Sequence, residues 1–426
     1  MGSSAINLTG PLGPEQFRNK LINGDFNFWQ RGTTGCEGPA SGAEVNSFYT
    51  YTCDRWAVSS SRGVGHTSSP SSVPRVRIDR MGFTMGQPSL SDVSGSQYFM
   101  RVTVGAADGT GTDGVTGASM DRGNAYLQVG QRIESNNFGE WSGKTVWLSF
   151  LAKSLSESDS MPNPQIGCRI ELAPDTDQTI TGDVWPATTT GVVEAQSGSQ
   201  TGFRRVSRIV GDNINLTPEW QKFKRKFKLP DFTGVTGGTN GGNINPIFVL
   251  ISGASSDVQN HASSQVTDYM GLTGLTGAFD VAQVQLEIGN DVSPFEKRHP
   301  SIELGMCQRY YEKSYDVETR PGTNAGYTGL VSMTDPHIHS TCHQNFNWNV
   351  RKRTAPTVTL YSLEGTLGKF YVRHADSPNN ATEVDGTPGG ISESGVGYVT
   401  SGSELTHEAS HGDVLISMHY TADAEL

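Results

Sequence analysis

The run His407-Glu408-Ala409-Ser410-His411 spells H-E-x-x-H. On a helix that spacing puts two imidazoles on one turn beside a carboxylate general base, the chemistry of a zinc hydrolase. Residues 412–426 read as a strand and lack the longer H-x-x-G-x-x-H continuation, so these are read as surface-loop histidines. Gly143-Lys144-Thr145 imitates the end of a phosphate-binding loop. Its preceding Gly139 stands one residue too close, and a strand pattern follows where a helix is required. His337 and His339 are two apart, so on a strand both imidazoles share one face and form a candidate transition-metal pair, with Cys342 and His343 as further ligands. The competing reading is polar histidines on a solvated strand. Trp185, in the loop-like GDVWPATTTG, is the candidate aromatic platform for a sugar ring, whereas Trp29, Trp56, Trp147 and Trp220 fall in strand-like blocks and are read as core. There is no G-x-S-x-G, and no pair of carboxylates stands out for glycoside cleavage. The expectation is a protein that is not an enzyme.

The elements that must position these residues are strands. Two-residue alternation marks 98–104, 125–133, 145–151, 165–172, 203–210, 221–229, 247–252 and 277–288, separated by glycine-rich and polar stretches. Without ten-residue helical patterns between them, such strands predict an antiparallel sandwich or jelly roll with long loops. In 279–288 the alternation sets Phe279, Val281, Gln283, Gln285 and Glu287 against Asp280, Ala282, Val284, Leu286 and Ile288. In 221–229 it sets Lys outward and Phe inward. A short amphipathic helix is expected over 301–311, capped by Ser301. Further strands follow at 326–334, 346–350, 357–362, 369–373, 395–400 and 414–420.

A chain of 426 residues suits two or three domains. Its 51 glycines signal turns, and its net charge of −11 with a single dense basic run (Lys222, Lys224, Arg225, Lys226, Lys228) argues against nucleic-acid binding. Five widely spaced cysteines form neither a disulfide framework nor a zinc pattern, which suits folding in a reducing cytoplasm. The first residues lack a signal peptide's basic and apolar regions, and no apolar run is long enough for a membrane span, so no membrane insertion is expected.

LINGDFNFWQRG (21–32), DRWAV (54–58), GKTVWLSFLAKS (143–154), EWQKFKRKFKLP (219–230), FDVAQVQLEIG (279–289), PFEKR (294–298), LGMCQRYYEKS (304–314) and the ending YTADAEL (420–426) resemble, as an ordered set, a family of bacteriophage tail-fibre and virion surface proteins with a carbohydrate-binding-like jelly roll. The resemblance implies an all-β protein: an N-terminal jelly-roll β-sandwich with long loops, a short helical linker and a smaller C-terminal β-domain. The expected boundaries are 1–20 for an N-terminal arm, 21–300 for the jelly roll, 301–314 for the linker and 315–426 for a C-terminal domain that trimerises. The segment 294–300 is expected to be a short hinge.

By the same resemblance the function is that of a virion structural protein, a short tail fibre or related surface component attaching to the host. Purely architectural decoration or adaptor duty, and a glycan-degrading enzyme or its accessory module, are the alternatives. The implied partners are two further copies in a homotrimer, other virion proteins of tail, neck or capsid, and host surface glycan. The implied location is the virion, after synthesis in the host bacterial cytoplasm. No cofactor is required. A structural calcium would sit between Asp25 and Asp280, completed by backbone carbonyls. On a trimer axis, His337 and His339 from three copies would supply six nitrogens to a transition metal.

Overall fold

The computed structural model describes residues 17–33, 47–61, 76–84, 96–104, 126–134, 139–155, 165–174, 207–210, 214–229, 244–252, 277–335, 341–342, 345–374, 377–401 and 414–425. Within them the protein is all-β with one short α-helix. A five-stranded antiparallel sheet runs in the order Gln221–Lys228, Thr145–Ser154, Gly277–Ile288, Tyr98–Val104, Val76–Gly82. A six-stranded sheet runs Ser47–Tyr51, Ala57–Ser61, Tyr126–Arg132, Ile244–Ser252, Arg169–Pro174, Ser207–Val210. Their inner faces share one core: Val58, Val129 and Ile170 from the larger sheet meet Met100, Leu148, Phe150, Val281 and Leu286 from the smaller. This is the expected jelly-roll sandwich.

Alternation is the physical origin of that core, and in one strand it breaks. Phe279 and Val281 face inward as expected, but so do Val284 and Leu286. A register shift between Ala282 and Gln285 inserts an extra residue, and Gln283 takes a left-handed φ of 52°. Such a bulge reverses the parity of everything after it. The two-residue pattern read from sequence therefore holds only up to Ala282.

Parity also decides the tryptophans. Trp29 and Trp56 are buried, as is Trp141. Trp147 and Trp220 are not core residues. Val146, Leu148 and Phe150 take the inward positions of Thr145–Ser154, so Trp147 points outward and stays half-buried. Trp220 lies on the same outer face against Phe83 and Phe99, with ring centroids 5.3 and 5.2 Å away.

The helix spans Pro300–Gln308, one residue earlier than read from sequence, and its N-cap is His299 rather than Ser301. Pro300 suits the first turn because its missing N–H would have had no helical partner there, and the His299 ring accepts from the Ser301 amide. After it the chain builds a second core (Met333, Trp348, Leu360, Phe370, Val372, Ile416, Met418, Tyr420) around the strand Val414–Asp423. That strand pairs with Tyr311–Lys313, Val331–Asp335, Thr357–Tyr361 and Lys369–His374. The expected strand at 165–172 is split into Gln165–Ile166 and Arg169–Pro174. Ser47–Tyr51, Ala57–Ser61, Val76–Gly82 and Ser377–Gly389 were not legible as strands.

The second core holds a buried ion pair. Lys352 uses all three ammonium protons, on Glu312 Oε2 at 2.5 Å, Gln308 O at 2.7 Å and Val350 O at 2.8 Å. Glu312 also accepts from the Asn349 amide and the Tyr420 hydroxyl, each at 2.9 Å. Burial lowers the Lys352 pKa while Glu312 pulls it back up. Full satisfaction is what makes such a pair tolerable away from water.

Candidate functional site

The polar blocks that lie far apart in sequence meet at one place, where the sandwich touches the C-terminal strands. Arg55, within DRWAV, has a side chain only 1% exposed. Its guanidinium pairs with Glu425, donates to Arg132 O at 2.6 Å and lies 3.4 Å from the centroid of the Tyr310 ring. Arg31 reaches Asp423 at 3.1 Å and Glu425 at 3.4 Å, and stacks on Tyr311 at 3.6 Å. Adjacent tyrosines at the end of the helix thus carry one arginine each. Gln30 links Asp54 Oδ2 at 2.7 Å to Tyr311 O at 2.9 Å. Arg309 holds Glu134 through two bonds of 2.9 and 3.0 Å. The chain end is fixed through its backbone as well: Ala424 N donates to Tyr310 O at 2.7 Å, and Arg353 Nε donates to Ala424 O at 2.8 Å.

The turn at 21–28 sits beside this cluster. Asn23 has a left-handed φ of 58°, which asparagine tolerates better than most residues. Its side chain accepts from Phe28 N at 3.0 Å and donates to Phe28 O and Asp54 O, while its own amide donates to Glu303. Gly24 packs so closely that an added Cβ would meet Val284 O at 2.1 Å, and Val284 N donates to Gly24 O at 2.8 Å. The turn therefore docks on the bulged strand through a position only glycine can fill. Arg55 is also left-handed, with φ of 73°, an unusual conformation for a long side chain that its buried partners hold in place.

The segment expected to be a hinge is pinned. Glu296 accepts from Asn19 N at 2.7 Å and donates its own amide to Gln285 Oε1 at 2.8 Å. Arg298 binds Glu303 at 3.1 Å and Leu21 O at 3.1 Å. With these anchors on both sides, 294–300 is a strap between sandwich and helix.

Electrostatically the junction pairs buried charges of opposite sign, while the Arg55 Nε stays buried without a hydrogen-bond partner among the described residues. Burial would lower the Arg31 pKa, but Asp423 and Glu425 raise it further, so the guanidinium stays charged. Burial pushes the Glu425 carboxyl up, opposed by Arg55 and Arg31. Burial likewise raises Asp54 against Arg31 and the Gln30 bonds. Cys53 and Cys307 have thiols pushed well up by burial, which makes them poor nucleophiles. Buried, oppositely charged groups paired in this way can hold two bodies together.

Of the residues singled out in sequence, Trp185, His337, His339, His343, His407 and His411 lie outside the described residues. Asp280 is fully buried, and both its carboxylate oxygens accept from Arg101, at 2.8 and 3.0 Å, with Lys153 at 3.6 Å. A calcium there would have to displace that guanidinium. Asp25 lines a small polar cleft with Asn27, Glu296, Arg298 and Glu303. Burial, reinforced by the Glu303 charge, pushes its carboxyl up to about 6. Among the described residues no group of three or more His, Cys, Asp or Glu is placed to hold a metal ion. No helix among them is long and apolar enough to cross a membrane. The junction residues Arg31, Asp54, Arg55, Glu303 and Glu425 were missed as a site; their signal was charged and aromatic residues recurring in blocks that carry no catalytic motif.

The sequence matches no known protein-family model and no curated protein. Several solved structures are weakly similar to the chain. One described as "CBM4 structure and function" is 15% identical, with a TM-score of 0.22, over 50% of this chain and 87% of its own. The CBM22-1 xylan-binding domain of Paenibacillus barcinonensis Xyn10C is 9% identical, with a TM-score of 0.22, over 51% and 83%. The CBM22-1-CBM22-2 tandem of the same protein is 9% identical, with a TM-score of 0.24, over 91% and 92%. At these scores the likenesses carry no argument for what this chain does.

Proposed function

We propose that the chain is a non-catalytic structural and adhesive component of a bacteriophage particle surface, a short tail fibre or related tail component that contacts host glycan and assembles as a homotrimer with other virion proteins. The observation that carries this reading is the junction. The blocks that resemble phage surface proteins, from LINGDFNFWQRG to YTADAEL, supply both sides of it: Arg31, Asp54 and Arg55 on the sandwich, Tyr310, Tyr311, Asp423 and Glu425 on the C-terminal side. A protein that adheres must transmit force from a binding body to its anchorage, and a desolvated network of charge-assisted bonds is suited to that duty. The buried free cysteines of the junction, Cys53 and Cys307, agree with synthesis in a reducing cytoplasm. Many copies on one particle would multiply weak contacts into avid attachment.

Antibodies raised against the purified chain should decorate intact particles of the phage whose genome encodes it, at the tail in electron micrographs. Particles that stay unlabelled while the chain is found only free in the lysate would overturn the reading.

A further inference from the structure

Gln221–Lys228 is the edge strand of the five-stranded sheet and pairs on one side with Thr145–Ser154. Phe223 and Phe227 turn inward, and Lys222, Lys224, Lys226 and Lys228 turn outward, all four exposed. Alternate residues of a strand stand about 6.6–6.8 Å apart, so the four ammonium groups form a row roughly 20 Å long. Opposite them on the neighbouring strand stand Leu151, Ser149, Trp147 and Thr145. Trp147 organises the middle of the row: the Lys224 and Lys226 ammonium groups lie 5.5 and 5.7 Å from its ring centroid. Among the described residues the ion pairs of the row come to one, Lys224 with Asp291 at 2.8 Å. Both partners are more than half exposed, so the pair is weak and readily exchanged for another anion. Lys228 donates to Gly143 O.

On a chain of net charge −11 this row is a local field of opposite sign. Edge lysines commonly guard a sheet against edge-to-edge pairing. That duty needs charge alone and does not need ammonium groups held over an aromatic ring. A duplex nucleic acid is disfavoured because the row lies flat on a sheet, with no helix or ribbon to enter a groove. A linear polymer with anionic groups spaced along an extended backbone matches both the length and the spacing.

We infer that the outer face of Gln221–Lys228, with Trp147 beside it, is a binding site for an acidic polysaccharide bearing carboxylate, sulfate or phosphate groups. The inference names a ligand class for the adhesive body and rests on that reading for its purpose. Its test uses the purified full chain, so it can fail while the particle location stands, and the reverse.

The probes are polygalacturonate and dextran sulfate, which distinguish carboxylate from sulfate as the preferred group, with neutral dextran and single-stranded oligodeoxythymidylate as comparators. Binding to at least one acidic polysaccharide should exceed binding to both comparators and weaken steeply from roughly 50 mM to roughly 200 mM salt. Lys222→Gln with Lys226→Gln should weaken it about tenfold or more, since half of the row's four charges are removed. Lys369→Gln with Arg351→Gln, an equal charge change on the C-terminal side, should leave it within about twofold, as separated exposed charges are screened. Equal loss in both double variants, no binding to either acidic polymer, or tighter binding to the oligonucleotide would each overturn the assignment.

Discussion

The Glu425 carboxylate pairs with the guanidinium of Arg55, 370 positions earlier in the chain, and both side chains are almost wholly buried. The segment just after the last strand is thereby locked into the hairpin turn between Ser47–Tyr51 and Ala57–Ser61. Removing one partner of such a pair leaves the other charged and desolvated. Glu425→Ala should cost about 3–5 kcal/mol in urea denaturation, and Arg55→Ala should cost no less because it also abandons Tyr310 and Arg132 O. In a double-mutant cycle the two costs should fall well short of adding.

Asn23→Ala tests the turn at 21–28. The substitution removes three side-chain bonds and places alanine at a left-handed φ of 58°. The expected loss is about 2–4 kcal/mol from unpaired buried groups and strain together. Gly24→Ala should be comparably harmful, because the obstructing atom is a backbone carbonyl that cannot swing away.

How much of this was readable beforehand depends on whether the signal was local. The strand Tyr98–Val104 carries its period in its own residues, and Gly277–Ile288 does so up to Ala282; the ends of both agree with the sequence. Ala57–Ser61 is AVSSS, and Ser377–Gly389 is rich in Pro, Asn and Gly, so their pairing comes from neighbours and not from propensity. The bulge at Gln283 left no mark because its cause lies elsewhere, in the Gly24 turn that fills the gap. The junction was invisible for the same reason. DRWAV, RYYEK and TADAEL each look like an ordinary strand end, and only tertiary structure stacks two arginines on two consecutive tyrosines.

The Asp25 carboxyl, pushed up to about 6 from 3.8, sets a pH dependence. Between these values the folded protein holds the proton and the unfolded chain releases it, so stability falls as pH rises through this window. Asp25→Asn should abolish that slope. It should raise stability at neutral pH by about 1 kcal/mol, an amount reduced from the full linkage value because the turn is partly open to solvent, and change little near pH 4. A variant curve parallel to the parent curve from pH 4 to 7 would contradict the assignment.

Asp280 is the place to test the calcium expectation. With Arg101 on both carboxylate oxygens, the melting temperature should be the same with EDTA as with added calcium. Arg101→Met should destabilise by about 2 kcal/mol, less than for an isolated buried pair because Lys153 remains at 3.6 Å. A clear fall in melting temperature on chelation would restore calcium as a ligand of Asp25 and Asp280.

Scanning calorimetry of the full chain and of Glu425→Ala bears most directly on the claim that the junction welds the sandwich to the C-terminal strands. If it does, the parent protein unfolds in one cooperative transition, and the substitution lowers it and divides it in two, one for each hydrophobic core. Two separate transitions in the parent, unmoved by Glu425→Ala, would contradict the account.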